Sequence, residues 1–165
     1  MQRRLLLVAA PTLVLSACGF KLRQAPNFAF RTIYVVVAPA SALGIELKRS
    51  IAQADNVQVL TEASQMLTAD VVLDVLTDLR EKVVVGLSAA GQVREFQLRV
   101  RLKFRLRTPQ GKDLIPDTEL LQQRDFSYNE TAALAKEAEE AQLYRSMQSD
   151  LVQQVIRRLA AVRQL

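Results

Sequence analysis

From Phe96 to Arg107 the chain alternates without a fault. Phe96, Leu98, Val100, Leu102, Phe104 and Leu106 are apolar, and Gln97, Arg99, Arg101, Lys103, Arg105 and Arg107 are polar or cationic. Only an extended strand, with side chains pointing alternately to opposite faces, sorts such a sequence into one dry and one wet side. A strand with one dry face needs a sheet around it and a cover on that face alone. This stretch therefore fixes the class of fold before any other segment is read.

The neighbouring segments supply the rest of that sheet and its cover. Thr32 to Val37 is β-branched and aromatic and reads as a strand. Pro39 and Ser41 mark a helix start with Ser41 as N-cap, and Leu43, Leu47 and Ile51 follow on one helical face that ends near Asp55-Asn56. Val57 to Leu60 has the composition of a short strand leading into a connecting segment. From Ala69 the period becomes two, with Val71, Leu73, Val75 and Leu79 on one face and Asp70, Asp74 and Asp78 on the other. Val83-Val84-Val85 extends this strand, and Ser88-Ala89-Ala90-Gly91 is its turn-like tip. Pro109-Gln110-Gly111-Lys112 turns the chain into a less regular strand over roughly Thr118 to Tyr128.

A helix predicted from about Ala132 to Val162 closes the sequence, with Met147, Leu151, Val155, Leu159 and Val162 as its apolar stripe. Glu137, Glu139 and Glu140 near its start and Arg157, Arg158 and Arg163 near its end suit the helix dipole. The expected order is β-α-β-β-β-α. It forms an α+β two-layer sandwich, a four-stranded mainly antiparallel sheet covered on one face by two helices.

The first residues have a different character. Arg3 and Arg4 precede an apolar run from Leu5 to Leu15 that contains Pro11. A spanning helix needs about 20 apolar residues, so the run has the length of a signal segment instead. It ends in Leu15-Ser16-Ala17-Cys18-Gly19, where small residues directly precede the one cysteine of the chain. This resembles a lipobox, which implies a thiol alkylated by diacylglycerol and an acylated new N-terminus at Cys18. More than one acyl chain makes a stable membrane anchor. Gly19 in place of aspartate favours the outer membrane by resemblance to the enterobacterial sorting rule. The division expected is a signal peptide over 1–17, a lipidated tether over 18–28 and a single α+β domain over 29–165. Removal of 17 of 165 residues leaves 148, the usual size of one domain, and loss of Arg3 and Arg4 takes the net charge from +5 to +3.

Composition narrows the chemistry. The chain has no histidine and one cysteine. The commonest general base, the commonest zinc ligand and, with Cys18 used as an anchor, thiolate catalysis are all missing. Glu137, Glu139 and Glu140 lie too close in one helix to flank a substrate. The expectation is no enzyme, no catalytic residue, no metal, no cofactor and, for an exported chain, no nucleic acid.

The cations Arg99, Arg101, Lys103, Arg105 and Arg107 share one strand face at intervals of about 6.8 Å. Two readings stand side by side. The row is a track for phosphates or an acidic surface, or it is a solvated face partly neutralised across strands by Asp70, Asp74 and Asp78.

Three stretches together resemble the LptE family of lipopolysaccharide-assembly lipoproteins. They are Cys18-Gly19-Phe20-Lys21-Leu22-Arg23, with Lys21 where the family commonly has histidine, Gly91-Gln92-Val93-Arg94-Glu95-Phe96-Gln97-Leu98, and Ala133-Leu134-Ala135-Lys136-Glu137-Ala138-Glu139. Their order and spacing cover nearly the whole mature chain. The resemblance implies a non-enzymatic outer-membrane lipoprotein with a periplasm-facing lipid anchor. It implies a domain inside the lumen of the LptD β-barrel, which it plugs and helps assemble while binding lipopolysaccharide. An alternative is a structural or assembly partner of a barrel without lipid binding. Lys136 matches a basic family position linked to that binding, and a second such position falls on Ala89. The candidate lipopolysaccharide contacts are Lys136, Arg94, Arg99, Arg101 and Lys103.

Overall fold

The computed structural model describes residues 26–165. The signal segment, Cys18 and most of the tether lie outside the described residues. The elements are β1 (Thr32–Val36), α1 (Ala42–Ile51), β2 (Gln58–Leu60), a 3-10 turn (Ala63–Thr68), β3 (Val71–Leu87), β4 (Val93–Arg107), β5 (Asp113–Ser127), a short 3-10 turn (Glu130–Ala132) and α2 (Ala133–Ala161). Among the described residues no helix is long and apolar enough to cross a membrane.

The sheet has five strands in the order β2-β1-β3-β4-β5. This corrects the expected four-stranded, mainly antiparallel sheet. β1 pairs parallel with both β2 and β3, whereas β3, β4 and β5 form an antiparallel meander, so the sheet is mixed. β2 is only three residues long, too short to show a period of its own. It is a strand because the β1-α1-β2 crossover returns the chain alongside β1, and a helical crossover makes that pairing parallel.

Both helices lie on one face, as the alternation in β4 requires. Leu98, Val100, Leu102, Phe104 and Leu106 are all buried beneath them. Ser41 caps α1, its Oγ accepting from the Gly44 amide at 2.9 Å, and Leu43, Leu47 and Ile51 fill the core. Gly44 lets the first turn of α1 settle on the chain after β1, since a Cβ there would sit 2.6 Å from Val37 Cγ1. In α2, Met147, Leu151, Val155 and Leu159 are buried, while Val162 caps the helix from outside.

β5 starts at Asp113, earlier than the expected Thr118, and carries Pro116 inside it. A strand tolerates proline at a sheet edge or a bulge. β5 is an edge strand, and the register slips between the Phe104–Thr118 and Leu106–Ile115 pairs.

The largest departure from the expected pattern lies in β3. Leu76 is an extra residue between the Val75–Phe104 and Thr77–Lys103 pairs. One added residue turns the side chains that follow it to the other face, here as far as Val84, where the register shifts again. Leu79, expected in the core with Val71 and Leu73, is instead 45% exposed on the open face, in register with Arg101. Asp78, Arg80 and Lys82 are turned toward the helices. There, Ser41 Oγ donates to Asp78 at 2.7 Å and Arg80 donates to Gln148 at 2.5 Å. Gln148 and Ser149 in turn donate to the two oxygens of Glu46, each at 2.6 Å. This polar seam joins β3 to both helices where β3 has no apolar side chains to offer.

Candidate functional site

The molecule carries two groups of cations on opposite faces of the sheet, and their surroundings differ. On the open face, Arg101 meets Glu119 at 2.6 Å and Glu81 at 3.9 Å, and Lys103 meets Asp117 at 2.9 Å. Arg105 and Arg107 both donate to Asp74, at 2.8 and 2.7 Å. Arg99 donates to Gln97 at 2.8 Å and, among the described residues, has no ion pair. Burial pushes the Asp74 carboxyl up, but the hydrogen bonds from Arg107 and Arg105 outweigh it and hold the group below the usual carboxylate range. The row is thus a largely neutralised surface.

Its counter-charges are only partly the expected ones. Asp74 does pair with the row. Asp70 instead accepts the amides of Arg31 and Thr32 at 2.7 and 3.0 Å, and Asp78 lies on the helix face beyond the bulge. The remaining acids come from β5, whose irregular sequence hid its register with β4, and from Glu81 of β3.

The second group sits at the far end of the sheet, where β3 and β4 run beyond β1. Phe96 of β4 stands opposite Phe126 of β5, their rings stacked at 6.5 Å, and Tyr128 meets Phe96 edge-on at 5.4 Å. Two ammonium groups lie over this aromatic floor. Lys82 Nζ is 4.2 Å from the Phe96 ring centre and 5.9 Å from those of Phe126 and Tyr128, and Lys136 Nζ is 5.2 Å from that of Phe126. Such contacts are attractive because the ring face is negative. Each ammonium also holds a carboxylate of α2, Lys82 that of Glu140 at 2.6 Å and Lys136 that of Glu139 at 2.8 Å. Lys136 further donates to Ser127 Oγ at 3.3 Å.

Arg94 is exposed at the same end, and its carbonyl accepts from the Tyr128 amide at 2.8 Å. Exposed apolar side chains stand at this end too: Val84, in register with Phe96, then Val85 and Leu87, and Leu134 in the first turn of α2. A depression of about 340 Å³ opens beside the cluster, lined by Arg80, Glu137, Glu140, Ala141, Tyr144 and Arg145. Burial and the nearby Glu140 carboxylate push the Tyr144 phenol up, and its hydroxyl donates to the Glu81 carbonyl at 2.8 Å.

Of the sequence candidates, Lys136 and Arg94 come to one end, while Arg99, Arg101 and Lys103 lie on the opposite face. Sequence reasoning missed Lys82, Phe126 and Tyr128. The aromatics left a signal, since a hairpin between β4 and β5 brings Phe96 against Phe126. Lys82 left none, because the Leu76 bulge alone turns it toward the helices.

Residues 30–159 match the lipopolysaccharide-assembly family LptE. The chain belongs to the LptE family. Solved structures carry the same fold. The solution structure of lipoprotein B from Nitrosomonas europaea is 34% identical with a TM-score of 0.72, covering 87% of this chain and 91% of that one. The rare lipoprotein B from Shewanella oneidensis is 22% identical with a TM-score of 0.64, covering 79% and 95%. A minor lipoprotein from Acinetobacter baumannii is 20% identical with a TM-score of 0.63, covering 82% and 94%. Membership in LptE makes this a lipopolysaccharide-assembly protein. Among the described residues no group of three or more acidic, cysteine or histidine side chains is placed to hold a metal ion.

Proposed function

We propose that this chain is an outer-membrane lipoprotein, anchored by acyl chains on Cys18, whose domain over 29–165 plugs an LptD-type β-barrel. It helps assemble that barrel and binds lipopolysaccharide during delivery to the outer leaflet. The observation that carries the lipid part is the far end of the sheet. Ammonium groups over aromatic rings, beside exposed valines and leucines, offer one surface to a phosphorylated headgroup and to acyl chains together. Lys136 is the principal contact and Arg94 an accessible second one. Of the open-face row, Arg99 is retained as a phosphate contact because, among the described residues, no acid holds it; Arg101 and Lys103 pair with Glu119 and Asp117 on the face away from the aromatic floor.

A second reading, a structural plug without lipid binding, draws support from the neutralised open face. Paired charges on a sheet face suit contact with another protein surface better than capture of a free anion.

The deciding experiment extracts outer membranes in detergent with the protein tagged at Leu165. A stoichiometric large β-barrel surviving stringent washes is the expected result. Recovery of the tagged protein alone, with its lipid anchor intact, overturns the plug. Lipopolysaccharide binding by the purified full chain, weakened several-fold by Lys136→Gln, separates the two readings.

A further inference from the structure

The acids of α2 need an explanation other than the helix dipole. The dipole acts within the first turn, and the first turn of α2 holds no acidic residue. Glu139 and Glu140 lie in the second turn, and Glu139 stands three residues after Lys136. The sequence order that favours an isolated helix is the reverse, with the acid before the base. Neither the dipole nor pairing within the helix is therefore the best account of their positions.

What they do touch is the cation cluster. Glu139 holds Lys136 at 2.8 Å and Glu140 holds Lys82 at 2.6 Å. Both ammonium groups lie within 6 Å of the Phe126 ring centre. The four charges sum to zero, and displacement of the two carboxylates uncovers two positive charges over one aromatic floor. A phosphomonoester carries close to two negative charges near neutrality and offers three acceptor oxygens. It matches what the two carboxylates now supply.

We propose that Lys82 and Lys136 form a paired-cation seat for a phosphomonoester, and that Glu139 and Glu140 occupy this seat as tethered stand-ins which the ligand displaces. Lys82 is thereby a binding residue equal in rank to Lys136. The inference rests on the reading that this end binds lipopolysaccharide, and it adds a lock. Binding exchanges two internal ion pairs for two external ones, so the free protein holds weakly to isolated phosphates. An amphiphile gains as well from Val84, Val85, Leu87 and Leu134 at the same end. The Glu139 side chain is half exposed and that of Glu140 half-buried, and each pair still reaches solvent, so each adds little to folding.

The test measures binding of the purified full chain to vesicles carrying bisphosphorylated lipid A, with inorganic phosphate in solution as a separate arm. Glu139→Gln/Glu140→Gln should tighten vesicle binding by roughly fivefold to tenfold, the scale of two solvent-reaching ion pairs released. Lys82→Gln should weaken it as much as Lys136→Gln. A charge-matched control, Glu130→Gln/Glu137→Gln, removes two acids that hold neither lysine and should change it far less. Tighter binding of inorganic phosphate alone by the unlocked variant would assign the seat to the phosphate group, and tightening confined to vesicles would assign it to the lipid as a whole. Either supports the lock. If the parent binds lipid A and Lys136→Gln weakens it, yet the unlocked variant equals the parent or the control, the lock is overturned and the lipid reading stands. If neither parent nor unlocked variant binds lipid A or phosphate, both fall.

Discussion

The open face holds a row of five cations and the far end of the sheet holds three, Lys82, Lys136 and Arg94, and the structure uses them differently. On the open face four of the five cations in the row have carboxylates from neighbouring strands, set directly or diagonally across the sheet. At the far end the partners are two carboxylates of one helix, at 2.6 and 2.8 Å from ammonium groups that lie over an aromatic floor. A row of like charges is thus a weak sign of a binding site. A small set of cations over aromatic rings with adjoining exposed apolar surface is a stronger one.

The comparison breaks most visibly if the floor of the far end is removed. Phe126 is 2% exposed, and Phe126→Ala should cost about 3–5 kcal/mol in thermal or denaturant unfolding. It removes the ring shared by both lysines and takes lipid binding with it. Loss of lipid binding in a variant that unfolds like the parent would mean that the ring acts on the ligand alone.

On the open face the counterpart is Asp74. Asp74→Asn leaves two guanidinium groups around a buried amide and should cost about 2 kcal/mol, below the range for fully buried pairs because both arginines reach solvent. Lipid A binding should not change. The same carboxyl gives a pH signature. Its folded-state value is depressed, so its contribution is fully present above the unfolded value of 3.8 and is lost as the pH falls through the lower folded value. Asp70, held by two backbone amides, adds to the same acid limb. An acid unfolding curve whose limb is unaltered in Asp74→Asn would show that the ion triad does not govern it. The smallest effect belongs to Lys103→Gln, which removes one exposed pair. It should shift stability by less than about 1 kcal/mol and leave lipid binding intact; a large loss of binding would return the row to the lipid site.

Much of this architecture was legible in the residues. The alternation through β4, the Ser41 cap with Leu43, Leu47 and Ile51, and the Met147-to-Leu159 stripe each depend on neighbours a few positions away, and each stands as read. Lys136 was legible only through the family resemblance, because an exposed lysine near a helix start has no local mark of function. β2 was undecided because three residues carry no period. The expected pairing of the open-face row was right in kind but named two of its three acids wrongly, since Asp70 caps backbone amides and Asp78 lies beyond the bulge.

The sequence by itself determined that this chain makes a one-sided sheet with two covering helices, since hydrophobic period is a local property that burial enforces wherever the strand goes. Only the tertiary structure decided that the sheet is mixed and that Lys82 joins Lys136. Parallel pairing needs a crossover to bring distant segments side by side. The face of each residue in β3 from Thr77 to Val84 hangs on one extra residue, whose place is chosen by register with β4.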